Sequence, residues 1–144
     1  MATGKTEMAL QALFAAISAV TGPEIVRNAV EAGDIPPGGR VNQLDGNRGE
    51  PEELLSPLQY SFQHRVELIV MVQENDQAVR DAAMDNILQD IVAVVRANPT
   101  LSGAVDYAYE APPETDDEAI AGAETVKAAL LPIILEYTAP TAVG

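Results

Sequence analysis

The sequence predicts an α+β domain: an antiparallel or mixed sheet of four to five strands with two helices packed on one face. Three observations carry this. Residues 59–73, QYSFQHRVELIVMVQ, alternate with period two and put Tyr60, Phe62, Val66, Leu68, Val70 and Val72 on one face of a long strand. Residues 76–97 repeat Ala83, Ile87, Ile91 and Val94 at helical spacing, flanked by Met84, Leu88 and Val95. The segments run helix, three strands, helix, two strands, an order that suggests α+β.

Along the chain, residues 5–20 place Leu10, Leu13, Phe14 and Ile17 on one helical face, and Thr21-Gly22-Pro23 stops the helix. Ala12, Ala15, Ala16 and Ala19 allow the close approach of a helix lying on a sheet. Met8 to Val20 has the look of a signal-peptide core. Glu7 precedes it, however, Gln11 interrupts it, and Ile17 stands where cleavage needs a small residue, so it reads as a retained amphipathic helix. Residues 24–32 read as a strand with Val26 and Val30 on one face. Residues 35–57 are rich in Gly, Pro and charge. They predict a long exposed loop that orders on meeting a partner, crossed by a short strand at 40–44 that Asp45-Gly46 closes.

The second face of residues 59–73 begins polar and ends with Ile69 and Met71, so half of it wants cover. Asp76 is the N-cap of the second helix, and Pro99 ends that helix at Asn98. Pro99, Leu101 and Gly103 then make a structural corner: Leu101 pins the turn into the core, and Gly103 gives backbone freedom before a strand at 104–110. Residues 111–125 read as an acidic, turn-rich loop. Residues 126–138, VKAALLPIILEYT, are too apolar for a half-exposed strand, and Pro132 suits an edge or a bulge. An apolar edge invites another chain. Ile69, Met71, Leu131, Ile133 and Leu135 are therefore candidate subunit-interface residues. Residues 139–144 read as a flexible tail, and residues 1–144 as one domain.

The 144 residues suffice to bury about two-thirds of the unfolded-chain surface without a disulfide or metal staple. With no cysteine, thiolate metal sites and cysteine nucleophiles are excluded. Net charge is −14, and residues 73–144 hold 13 acidic against 3 basic side chains. Such a chain is repelled by phosphate backbones and by anionic membranes. No run of eighteen apolar residues is present. ATGKT at Ala2–Thr6 lacks the first glycine and the preceding strand of a phosphate loop. His64, the sole histidine, falls on the mainly buried strand face and reads as a strand-end residue half covered by the preceding loop rather than a general base. Asp81 with Asp85, and Asp116 with Asp117 and Glu118, lack the alternating oxygen ligands of a calcium loop and read as solvated surface. Ser18, Ser56, Ser61 and Ser102 have no nucleophile-elbow context. No catalytic, cofactor-binding or metal-ligating residue is predicted, and the expectation is a protein that is not an enzyme.

Five stretches stand in order across about residues 36–139: GGRVNQLDG, YSFQHRVELIVMVQ, RDAAMDNILQDI, PTLSGAVDYAYEAP and AALLPIILEYTA. This pattern resembles the tail terminator (tail completion, minor tail) proteins of bacteriophages, prophages and gene transfer agents. Its most specific piece is a helix bearing Asp85, followed by Thr100-Leu101-x-Gly103 and a short strand; a final strand ending in Tyr137 supports it. The resemblance implies a structural virion protein, assembled in the host cytoplasm into a ring, commonly a hexamer, at the head-proximal end of the tail. The ring would cap the tail tube, stop its polymerisation and join the tail to the head. The implied partners are further copies of the chain, the tail tube protein and the head–tail connector protein. DNA would pass through the lumen without specific binding, and no membrane is involved. An acidic lumen would repel the duplex over a Debye length of about 8 Å. Its candidate residues are Asp81, Asp85 and Asp90 on the helix, or Asp116, Asp117 and Glu118 in the loop, with outward-facing charge for solubility as the alternative. Two other readings stand beside this one: another head–tail joining or minor tail component, and a small cytosolic enzyme or ligand-binding module. A pocket of converging polar groups around His64 and Arg65 would favour the last.

Overall fold

A computed structural model of the chain describes residues 3–30, 35–116 and 125–144. The elements are α1 (Lys5–Ile17), β1 (Glu24–Arg27), β2 (Arg40–Asn47), β3 (Glu52–Leu54), β4 (Gln59–Gln73), α2 (Gln77–Ala97), β5 (Tyr107–Glu110), β6 (Glu114–Asp116) and β7 (Val126–Ala139). They form an α+β fold with one mixed seven-stranded sheet, ordered β1-β2-β4-β7-β5, in which β3 continues the flank of β4 and β6 that of β7. Seven strands replace the four or five expected because each flank is broken into two pieces. β2 and β3 follow one another along β4, and β5 and β6 follow one another along β7.

The two long strands pair antiparallel over their whole length, from Tyr60 opposite Ala139 to Gln73 opposite Val126. Alternation then sorts every side chain. Phe62, His64, Val66, Leu68, Val70 and Val72 of β4 share the inner face with Ala129, Leu131, Ile133, Leu135 and Tyr137 of β7, and all are buried. Both helices close this face: α1 through Ala9, Leu10, Leu13 and Ile17, and α2 through Met84, Ile87, Ile91 and Val95. The Asp76 carboxylate caps α2 by accepting from the backbone N–H groups of Ala78 and Val79 at 2.9 and 3.2 Å.

Several expectations are corrected. β7 is a central strand, not an edge, and Leu131, Ile133 and Leu135 are core residues that no second subunit can reach (1%, 0% and 0% exposed). Pro132 is tolerated there because its ring nitrogen faces the break between β5 and β6, where no ladder bond is required. Its carbonyl, on the same side, accepts from Ala111 N–H at 2.9 Å. Residues 35–57 are not one long loop, since β2 and β3 within them are laddered to β4. Asp45-Gly46 does not end a strand but forms an irregularity inside β2, between Leu44 and Asn47. Gly46 adopts φ 69° there, and a Cβ at that position would collide with the Arg65 carbonyl. The strand at 24–32 stops at Arg27, because Asn28 turns left-handed at φ 50°, and Val30 is exposed. The tail is held. Ala139 is buried in β7, Arg48 donates to the Val143 carbonyl, and Gly144 lies so close to Thr6 that a Cβ would clash.

Leu131→Ala and Ile133→Ala should each lower the unfolding free energy by roughly 2–5 kcal/mol, read from urea denaturation. Unchanged urea midpoints with an altered oligomeric state would return these positions to an interface.

Candidate functional site

The corner after α2 is built from local chemistry. Leu101, Ser102 and Gly103 take φ values of 47°, 60° and 90°, and only the last is a glycine. Two non-glycine residues in that region need support. Asn98 supplies part of it: its side-chain carbonyl accepts from Ser102 N–H at 3.0 Å and its amide donates to the Ser102 hydroxyl at 3.2 Å. Burial of Leu101, 2% exposed, supplies the rest. The corner also seals an edge, because the Pro99 carbonyl accepts from Ala108 N–H at 2.7 Å. That donor points away from β7 and would otherwise offer β5 to another strand.

His64 sits on the inner face, 3% exposed, with both ring nitrogens engaged. Nε2 lies on the Asp45 carbonyl and Nδ1 lies 3.0 Å from the Tyr137 hydroxyl. A carbonyl can only accept, so Nε2 carries the proton and Nδ1 accepts from Tyr137. The Tyr137 oxygen in turn accepts from the Thr6 hydroxyl, 2.8 Å away. One polar chain thus ties α1, β7, β4 and β2 together. Burial, the largest influence, pushes the His64 pKa below its ordinary value, against the Asp45 carbonyl that favours the charged form. Burial likewise pushes the Tyr137 phenol up. Arg65, the next residue, lies on the opposite face beside Glu67 and Glu114, at 3.8 and 3.9 Å. Strand alternation therefore separates His64 from Arg65, and the two do not line a common pocket.

Among the described residues no helix lies over the outer sheet face. Ile69 and Met71 lie there, half-buried, opposite Leu130 and Ala128. Ile69, Ala128, Leu130, Glu114 and Thr115 line a shallow cleft of about 410 Å³. A second cleft, about 580 Å³, follows β5 and holds Tyr107, Tyr109, Glu110, Glu136 and Arg96. In it the Arg96 guanidinium bonds Glu110 and holds that carboxyl below its usual range. A third, about 370 Å³, runs between α2 and residues 111–113, lined by Leu88, Val92, Pro112 and Pro113 with Asp85 and Glu110 at its lip.

Asp81, Asp85 and Asp90 are all exposed on α2, and Asp81 accepts from Lys127 at 2.9 Å. The backbone of Asp116 belongs to β6, while Asp117 and Glu118 lie outside the described residues. Among the described residues no group of three or more His, Cys, Asp or Glu is arranged to hold a metal ion. Among them, too, no helix is long and apolar enough to cross a membrane.

Sequence reasoning missed two features. The first is the polar chain through His64, Tyr137 and Thr6, which joins residues 131 positions apart and leaves no local signal. The second is the turn between β3 and β4, where Leu54, Leu55 and Leu58 are 38%, 77% and 52% exposed. The string Leu-Leu-Ser-Pro-Leu was its signal: turn chemistry in the middle of an apolar run. No family model matches the chain, and no curated protein matches it.

Stability should fall with pH because of His64. A folded-state pKa below the unfolded value of about 6.5 leaves the stabilisation complete above that value. It is lost as pH drops from there towards the lowered folded-state value. Between pH 7.5 and 5.5, wild-type urea midpoints should fall further than those of His64→Phe; equal falls would show that folding does not perturb this histidine. Tyr137→Phe removes the hydroxyl shared by Thr6 and His64 and should cost about 1–3 kcal/mol at pH 7.5.

Proposed function

We propose that the chain is a non-enzymatic assembly protein, a tail terminator. Copies of it form a ring, a hexamer by the resemblance, on the head-proximal end of a phage or gene-transfer-agent tail tube. The ring ends tube polymerisation and joins the tail to the head connector. The observation that supports this best is the distribution of cover. The helices close one face of the sheet, while on the other Ile69, Met71, Ala128 and Leu130 surround a cleft that no described element covers. Apolar surface left in that state is suited to burial by another protein. The order of sequence patterns over about residues 36–139, ending at Tyr137, supports the tail family within that class. His64, the sole histidine, is committed to structural hydrogen bonds, so its position does not favour the reading as a general base. In a ring, Ile69 and Met71 remain subunit-contact candidates, and the charge of −14 per chain is repeated in every subunit.

Native mass spectrometry and negative-stain images of the purified protein test this reading. The expected species is a closed ring of six; a monomer at tens of micromolar, with no ring on tail tubes, would refute it. Ile69→Asp with Met71→Asp should reduce ring formation while leaving the monomer folded by circular dichroism. The acidic lumen is testable separately. Asp85→Lys with Asp90→Lys should leave rings intact and slow DNA ejection if α2 lines the channel. Unchanged ejection would place these carboxylates on the outside.

A further inference from the structure

The turn between β3 and β4 projects apolar side chains that the fold does not use. Leu54 ends β3, residues 55–58 form the turn, and Gln59 opens β4 opposite Leu54. Leu54, Leu55 and Leu58 fall within five residues and are all exposed, whereas large apolar side chains exposed elsewhere among the described residues are scattered singly. Lone exposed apolar residues are ordinary; three on one projecting tip are not. The base of the hairpin is acidic. Glu50, Glu52 and Glu53 are exposed, and none of them forms an ion pair among the described residues. The hairpin is thus a leucine knob with a collar of uncompensated negative charge.

That charge decides the occupant. A second copy would meet the knob's charge with its own at each of three clefts among the described residues, which carry carboxylates: Glu114 at the outer face, Glu110 and Glu136 beside β5, Asp85 and Glu110 beside α2. Seven of its eight basic side chains are already engaged. Arg27, Arg40, Arg65, Arg96 and Lys127 pair with carboxylates, and Arg48 and Arg80 donate to backbone carbonyls. Among the described residues only Lys5 is a basic side chain without such a partner. Like charge across a contact opposes it, whereas a basic lip around an apolar socket would match both parts of the knob.

We propose that the hairpin tip Leu54, Leu55 and Leu58 is the plug by which each subunit docks into an apolar, lysine- or arginine-rimmed socket on a different protein, the tail tube subunit. This rests on the tail-terminator reading. It assigns the contact with the tube to the hairpin and leaves contact between copies to other surfaces. Repeated around a ring, one small knob per subunit gains avidity from simultaneous engagement.

The test uses purified rings and tail tubes of the same particle, with binding followed by co-sedimentation and ring integrity by native mass spectrometry. Leu55→Ser with Leu58→Ser should weaken tube binding by about tenfold per leucine and leave the ring size unchanged. Glu52→Lys with Glu53→Lys should weaken it too, and wild-type binding should fall as salt is raised. Val30→Ser, an exposed apolar position outside the hairpin, should bind as wild type. Rings that fall apart in the leucine variant would make the hairpin a contact between copies and overturn the proposal. So would leucine variants that bind tubes normally, or that lose only connector binding. In each of those cases the tail-terminator reading survives. Wild-type protein that neither forms rings nor binds tubes would defeat that reading, and the hairpin's assignment with it.

Discussion

Fourteen consecutive residue pairs join β4 to β7, from Tyr60 opposite Ala139 to Gln73 opposite Val126, and the rest of the molecule is arranged around that ladder. It fixes which side chains face the helices, because a slip of one residue would turn Phe62, Val66 and Leu68 outward. It also fixes the topology. β4 and β5 are joined through α2 but do not touch in the sheet, since β7 occupies the place between them. α2 therefore crosses over β7, and Met84, Ile87, Ile91 and Val95 have Leu131 and Ile133 within the core they close. The last strand of the chain completes the core, so the central pairing is made between distant segments, the kind of contact that slows folding.

Polar groups inside this core sit where they tie elements together. Tyr137 stacks on Phe62 with centroids 5.3 Å apart and uses its hydroxyl to bridge His64 and Thr6. Gln43, fully buried on β2, donates to the Leu10 carbonyl at 3.0 Å and so holds α1 to the sheet; its own carbonyl oxygen has no partner among the described residues. Arg27 does the same at the surface, joining Glu7 of α1 to Asp45 of β2, and those carboxylates raise its pKa. α1 is thus fastened by directional bonds as well as by packing. Non-directional burial would let a helix with so many alanines slide; the hydrogen bonds specify one seat.

The division of labour between the two sheet faces bears on function. One face is spent on the core, and the other keeps a half-buried aliphatic centre beside Glu114 that the two helices leave uncovered. The chain does little with exposed strand edges. The corner at residues 98–105 covers the β5 edge with the Pro99 carbonyl, and β1 and β3 are only four and three residues long. Short and blocked edges discourage indiscriminate strand pairing. The net charge of −14 likewise opposes indiscriminate association of copies.

Periodicity alone was enough to place β4 at residues 59–73 and α2 beside its Asp76 cap, because a long strand with one buried face and a long amphipathic helix each write their geometry into neighbouring residues. The α+β class followed from their order. The position of β7 could not be read that way. An apolar strand containing Pro132 looks the same at an edge as in the centre of a sheet, and only the break between β5 and β6 removes the need for the missing N–H. The same holds for the candidate surfaces. Ile69 and Leu131 are equally apolar in sequence, yet Ile69 lies on the open face and Leu131 under a helix. Composition determined that this chain would be acidic, free of cysteine and large enough for a core. Tertiary structure decided which apolar residues that core consumes and which remain at the surface, because cover is set by what packs across a face and not by the residues that line it.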